Sequence, residues 1–299
     1  VRELAPTRML SAAGEEQAAA EAISGHYLPA SLSEDFRELR KRLNAEGALV
    51  GLADRMDLLT GALGLGIKLS SSEDPYALRR AAGGIVKILR AHPFPISLSR
   101  LASEARRQFG NLISPSETEL LGAMIPFFKE RIVFELQVKL GTREYEVLQG
   151  IFAGGLDRLA EVYQKFGQLA PEIRNESFLK ACKVMERTAN ILKGAKEKVA
   201  DKIEPALFQD SLERELNDLV SRKEDSIRKL ADEKKYTEAV RSYGEAFYQP
   251  VHDFFDRVMV NVDDSAVRSN RQALMKRINR LCADHAADLS LVTNLVTNL

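Results

Sequence analysis

Residues 264–283 read DSAVRSNRQALMKRINRLCA. Plotted at ~100° per residue, Val267, Leu274, Ile278 and Leu281 fall on one stripe, and Lys276, Arg277 and Arg280 point away from it. This is the repeat of a helix lying on a core. Asp263 and Asp264 precede it, suit the positive end of its dipole, and can cap it. No acid follows through Ala283. Arg268 lies to one side, and Asn270 and Arg271 flank the stripe. A guanidinium beside a core usually pairs with a carboxylate and packs its stem, which is the reading for Arg271. The outward Lys276, Arg277 and Arg280 are the better candidates for nucleic acid.

The same period extends through the rest of the chain, so the fold class is all-α. Further helices are expected near 171–193, 205–235 and 237–260. In the last of these Val251, Phe254, Phe255, Val258 and Met259 sit at i, i+3, i+4, i+7 and i+8. The two phenylalanines offer faces on which bases stack, but the spacing argues for packing. Between 97 and 167 the pattern is helical and less punctuated, with capping-box spacing at Ser116 and Glu119. The first hundred residues read as one helical unit. Its helices are 15–27, stopped by Pro29, and 47–63, with a stripe of Leu49, Leu52, Ala53, Met56, Leu59 and Leu63. A third is opened by Asp74 as cap and Pro75 at the first helical position. Residues 31–46 read as charged and irregular. Pro250 is grouped with the prolines that mark helix ends, and Pro126 with a kink or an end. No strand, hairpin or solenoid repeat is found.

The helix from 74 to about 90 repeats the arrangement of the last one. Leu78, Ala82, Ile85 and Leu89 fall within ~60° of one another, and Arg79, Arg80, Lys87 and Arg90 occupy a separate arc about 100° wide. No acid occurs between Pro75 and Ser103. Two readings stand side by side. One is a solvated basic face paired with acids from elsewhere. The other is a ridge that contacts phosphates.

Composition narrows the classes. The 299 residues suggest about two domains. A hydrophobic fraction of 45% is enough for a core. Lys+Arg and Asp+Glu are both 43, which argues against disorder and against a bulk basic coat. Cys182 and Cys282 stand far apart and form no zinc motif or disulfide framework, so a reducing, cytoplasmic setting is expected. No apolar run reaches about 18 residues, so no membrane span is expected. The chain begins Val-Arg-Glu-Leu and reads as a piece of something longer. Catalytic patterns are thin. The histidines are His26, His92, His252 and His285. His252-Asp253 is a dipeptide that metal phosphohydrolases use, yet it has no histidine neighbour to converge on a cation. There is no phosphate-cradling loop, nucleophile elbow or zinc-protease motif.

Seven segments, in order, resemble the β subunit of bacterial-type glycyl-tRNA synthetase, the form with separate α and β chains. They are Ala22-Ile23 through His26-Tyr27-Leu28-Pro29; Gly51-Leu52-Ala53-Asp54-Arg55-Met56-Asp57 with the following Leu58-Leu59-Thr60-Gly61; Asp74-Pro75-Tyr76-Ala77-Leu78-Arg79-Arg80-Ala81-Ala82; and Arg187-Thr188-Ala189-Asn190-Ile191-Leu192-Lys193. The last three are Pro250 through Phe254-Phe255-Asp256-Arg257-Val258-Met259-Val260; Arg268-Ser269-Asn270-Arg271-Gln272-Ala273-Leu274; and Ala287-Asp288-Leu289-Ser290.

The resemblance implies a partial HD-like helical domain at 1–96, a helical connector at 97–170 and an anticodon-binding bundle at 171–299, the last related to that of arginyl-tRNA synthetase. It implies tRNA-Gly and the α subunit as partners, in a tetramer of two α and two β chains. The adenylate-forming site, with its ATP and Mg, would lie on the α subunit, leaving no catalytic residue, metal or cofactor on this chain. RNA contact is expected from Arg79, Arg80, Lys87, Arg187, Asn190, Lys193, Lys276, Arg277 and Arg280. The family's N-terminal half has no counterpart here, 1–21 matches poorly, and 293–299 carries a tandem Thr-Asn-Leu. Two rival readings remain: a helical adaptor without RNA affinity, and an HD-type phosphohydrolase.

Overall fold

A computed structural model describes residues 17–67, 76–136, 141–195 and 199–292. Among them are twelve α-helices, a few 3-10 turns and no strand. The expected Asp74-Pro75 helix start, residues 1–16 and the terminal repeat at 293–299 lie outside the described residues. The chain divides into two compact units. One comprises Val1–Lys139 with Leu156–Tyr163, the other Leu140–Gly155 with Gln164–Leu299. Residues 97–170, expected as a connector, are thus shared between the two.

In the first unit the helix Leu78–Ala91 is central. The Phe36–Arg42, Ala45–Gly64 and Glu117–Leu136 helices pack against it. It is buried almost all round, Lys87 included, rather than along one stripe. It starts at Leu78, after Ala77 in the left-handed conformation (φ 55°), with no side-chain cap. The Phe36–Arg42 helix, capped by Asp35, occupies part of the stretch read as irregular and seats Leu39 in the core.

The buried face of Ala45–Gly64 is also corrected. Gly47, Ala48, Gly51, Leu52, Met56 and Leu59 are buried, while Leu49 and Ala53 face outward. Small residues set that face. A Cβ on Gly47 would come 3.0 Å from the Cα of Gly25, and one on Gly51 3.1 Å from the carbonyl of His26. At this close approach Arg55 reaches across. Its guanidinium donates to the carbonyls of Gly51, His26 and Leu28 at 2.8–2.9 Å. Two of the quoted segments, 22–29 and 51–61, are therefore locked together by one side chain. The capping box at Ser116 and Glu119 is present in both directions, and Pro126 lies inside Glu117–Leu136.

In the second unit the main helices are Glu176–Lys193, Ser211–Asp232, Tyr236–Arg257 and Ser265–Ala283. Glu176–Lys193 crosses Tyr236–Arg257 so closely that a Cβ on Gly244 would sit 2.1 Å from the Ser177 carbonyl. Phe178, Tyr243, Phe247 and Phe254 are fully buried there. Each buried ring contributes roughly 2–3 kcal/mol. Pro250 lies within Tyr236–Arg257 rather than at its end, held by buried Phe247, Val251 and Phe254 on the same face. Met259, expected in the stripe, follows the helix end and is exposed. Asp264 caps Ser265–Ala283 through the N–H groups of Ala266 and Val267. The 3-10 turn Leu289–Leu291 returns to the Thr142–Ala153 helix. There Asp288 N–H donates to the Gly150 carbonyl at 3.0 Å, and a Cβ on Gly150 would meet the Asp288 carbonyl at 2.4 Å. Gln168 accepts from the N–H groups of Tyr236 and Thr237, closing the start of their helix. Among the described residues no helix is long and apolar enough to cross a membrane.

Candidate nucleic-acid interface

The nine expected RNA-contacting residues fall into three groups, and the structure treats each differently. On the Leu78–Ala91 helix, Lys87 is buried and is corrected to an internal residue. Its ammonium donates to the Glu34 carbonyl and lies 3.5 Å from Glu135. Arg90 pairs with the same carboxylate at 2.9 Å and stacks between Phe36 and Tyr163. Tyr163 donates its hydroxyl to Glu135. Burial, reinforced by the Glu135 charge, pushes that hydroxyl well above its ordinary range. Glu135 comes from the Glu117–Leu136 helix, so the helix's own lack of acids misrepresents its charge balance, whereas the Glu34 carboxylate pairs with Arg42. Arg79 is half-buried, and Arg80 is exposed at the helix start.

The final helix shows the same neutralisation. Lys276 pairs with Asp201 at 2.7 Å and donates to the Val199 carbonyl at 3.0 Å. Arg277 pairs with Glu224 at 2.8 Å and also donates to Asn217 and Ser221. Arg280 pairs with Asp284 at 2.8 Å and approaches Asp201 at 3.6 Å. These residues line a cleft of about 270 Å³ with His285. The hydrogen bond from Arg277 holds the Glu224 carboxyl below its usual range, and the bond to Asp284 raises Arg280. The face expected to contact nucleic acid is a cleft with three cations and three carboxylates, supplied from Asp201, Glu224 and Asp284. Exposed pairs of this kind are worth little each, so Arg280, with its side chain 56% exposed, remains exchangeable.

Arg271 takes the expected internal role. It binds Glu213 through Nε at 2.9 Å and through Nη2 at 3.3 Å, and donates to the Met259 carbonyl at 2.8 Å. Glu213 is fully buried and closes the capping box with Asp210. Burial pushes its carboxyl up, and the Arg271 guanidinium with the N–H groups of Asp210 and Gln209 outweighs that, leaving it below the ordinary value. Asn270 exchanges two hydrogen bonds with the backbone of Glu204. Arg268 donates to the carbonyls of Val262 and Asp263. The segment 268–274 is thus mainly a framework.

The third group differs. Asn190 and Lys193 are exposed near the end of Glu176–Lys193 and make no ion pair among the described residues. Arg187, one turn earlier, lies over the Phe255 ring at 5.8 Å. Its Nη1 is buried without a hydrogen-bond partner among the described residues. Arg187 and Asn190 line a groove of about 390 Å³ whose other wall carries Tyr248 and His252. These two residues were not among the candidates. Their i, i+4 spacing on the Tyr236–Arg257 helix was visible, but only the crossing with Glu176–Lys193 places them opposite Arg187. Phe255, read as packing, is half-buried and serves as the platform for that guanidinium. Among the described residues no group of three or more His, Cys, Asp or Glu is placed to hold a metal.

Comparison with known proteins places this geometry in context. Residues 8–153 match the family model described as "Glycyl-tRNA synthetase beta subunit", and residues 181–285 match "DALR anticodon binding domain". The chain is 32% identical over 268 residues to a glycine–tRNA ligase beta subunit of Trichlorobacter lovleyi, covering 90% of this chain and 37% of that relative. It is 32% identical over 278 residues to the same subunit of Desulforudis audaxviator, covering 93% and 39%. The Pseudomonas syringae pv. tomato subunit is 32% identical over 286 residues, again 93% and 39%. The chain spans less than two-fifths of the length of these relatives.

Proposed function

We propose a tRNA-binding role from one premise: the chain belongs to the glycyl-tRNA synthetase beta subunit family. It acts in the cytoplasm as the tRNA-binding part of glycine–tRNA ligase. Its partner is the α subunit, which carries the adenylate-forming site and its ATP and Mg, in a tetramer of two α and two β chains. Glycine is attached to tRNA-Gly there, and this chain supplies no reacting group or cofactor.

The observation that carries the reading is the coincidence of two features. The anticodon-binding family model covers 181–285, and within that span lie Arg187, Asn190 and Lys193, the candidates not committed to ion pairs among the described residues. RNA loops are recognised by splayed bases set on aromatic or guanidinium planes and by phosphate contacts. A turn of helix carrying Arg, Asn and Lys beside a Tyr/His wall suits both.

The test is binding of the purified chain to tRNA-Gly and to a non-cognate tRNA across a salt series. Affinity that falls steeply with salt and favours tRNA-Gly supports the reading. Absence of binding at low salt by the folded chain refutes it and leaves the adaptor reading.

A further inference from the structure

We infer that the outward face of the Ala45–Gly64 helix, with the Gln17–Gly25 helix beside it, docks a basic amphipathic helix of a protein partner. The surface lies wholly in the first unit and stands apart from RNA binding in the second.

The argument begins with apolar side chains that the fold leaves outside. On the longer helix Leu49, Val50 and Leu58 are each 43–45% exposed. Ile23, in the last turn of the shorter helix, and Tyr27, just beyond it, are 42% and 60% exposed. The two helices meet at Gly25 and Gly47, and Arg55 reaches back to the Tyr27 carbonyl at 3.4 Å, so these residues belong to one interlocked pair of elements. A single exposed apolar residue is ordinary. A group of them on two packed helices marks a surface that meets something. Plotted at ~100° per residue, Val50 and Ala53 lie within the exposed arc of Ala45–Gly64, with Leu49 and Leu58 at its two edges.

The charge on that arc decides what the surface meets. Glu46, Asp54 and Asp57 share it with Val50 and Ala53, and all three are exposed. Glu21 is exposed on the neighbouring helix and accepts from Gln17. None of the four carboxylates has an ion pair among the described residues. Between Leu43 and Ile67 the one Lys or Arg is Arg55. Its guanidinium is turned inward onto backbone carbonyls and acts on Asp54 through space alone. A nucleic acid or an anionic membrane brings phosphates against these carboxylates and is repelled. A wholly apolar partner covers them unpaired, at a desolvation cost. A helix with an apolar stripe at i, i+3, i+4 and i+7, flanked by Lys or Arg, covers the aliphatic groups and answers the acids. Tyr27 suits the same use, since tyrosine is enriched where protein interfaces concentrate their binding energy.

The experiment titrates the whole chain with a fluorescent helical peptide that carries leucines at i, i+3, i+4 and i+7 and lysines elsewhere. A second peptide of the same composition has its leucines dispersed around the helix, and a uridine oligomer serves as the anionic probe. A photo-crosslinker on each probe maps where it lies. Two double variants alter exposed residues: Val50→Ser with Leu58→Ser, and Asp54→Asn with Asp57→Asn. The control, Glu215→Gln with Asp218→Asn, removes the same charge from exposed positions on Ser211–Asp232. Melting curves establish that all three fold. The striped peptide should bind and crosslink within 17–58, and the dispersed peptide should bind about tenfold more weakly. Each of the first two variants should lose about tenfold in affinity for the striped peptide, and the control should stay within about twofold. Failure of the striped peptide to bind overturns the inference. So does equal binding of the two peptides, or equal binding to the parent and all variants, which reports charge attraction without a docking face. Crosslinking of the uridine oligomer within 17–58 overturns it in favour of RNA.

Discussion

Replacing Glu213 with alanine should strongly destabilise the second unit. The carboxylate holds Arg271 and accepts from the N–H groups of Gln209 and Asp210 at 2.8 Å each. Both members of the pair are shielded: Glu213 is 0% and Arg271 6% exposed. Removing one partner of a buried pair costs roughly 3–5 kcal/mol, because the other charge stays behind uncompensated. Arg271 would keep the Met259 carbonyl and Gln209 Oε1, which places the expectation at about 3 kcal/mol. In urea, with a slope of ~2–3 kcal/mol/M, the midpoint should fall by about 1–1.5 M. The double variant Glu213→Met with Arg271→Met should recover part of that loss, since an apolar pair of similar volume carries no stranded charge but leaves the N–H groups of Gln209 and Asp210 without their acceptor. The pH dependence follows the same pair. The folded carboxyl lies below its ordinary value of 4.5. Its contribution is therefore complete above that value and is lost as pH falls through the folded one. The alanine variant should show a shallower acid limb than the parent. A loss under about 1 kcal/mol for the single variant, against the range for a broken buried pair, or a double variant no more stable than the single, would refute the reasoning.

Gly244→Ala should lower the urea midpoint despite alanine's better helix propensity, since a Cβ 2.1 Å from the Ser177 carbonyl forces the helices apart at roughly 1–3 kcal/mol. Gly122→Ala, in the Glu117–Leu136 helix with nothing within 4 Å of the new Cβ, should do the reverse and raise stability by about 0.5–1 kcal/mol in the same titration. Cys182 and Cys282 are buried, and burial pushes the Cys282 thiol up to about 12. A thiol-reactive chromogen at pH 8 should therefore label neither in the folded chain and both in denaturant. Rapid labelling of the folded chain would show the packing around them to be looser than described.

Features written in adjacent residues were legible from the sequence. The caps at Asp264 and at Ser116 with Glu119 depend on spacings of two or three residues. Arg271 was read as needing a carboxylate because it flanks a stripe, though nothing local named Glu213. The charge balance of the two basic helices was not legible. Lys87 finds its carboxylate on another helix, at Glu135, and Lys276 finds Asp201. A helix's own composition is silent about acids brought by other elements. The Phe36–Arg42 helix was missed because its seven residues are too few for a period to register. In Ala45–Gly64 the stripe was right at Leu52, Met56 and Leu59 and wrong at Leu49 and Ala53, because glycines at 47 and 51 turn the helix by permitting backbone contact. The groove was half visible: Arg187 and Asn190 stood out, but Tyr248 and His252 gained meaning only from the crossing at Gly244.

The contact between Asp288 and Gly150 bears on how this molecule can be divided. The two family matches stop at 153 and start again at 181, and the second ends at 285. A gene fragment trimmed to 181–285 discards Asp288, Gly150 and Gln168 together. It strips away the Thr142–Ala153 helix and the hydrogen bonds that close the start of Tyr236–Arg257. Beginning instead near Gly141 restores them but carries along 156–163, whose Leu156, Leu159 and Tyr163 belong to the first unit. The thread passes back and forth between the units before settling in the second. No single cut of the polypeptide separates the residues of one unit from those of the other, and an expression plasmid designed on the sequence boundaries alone would sever packed structure within a unit.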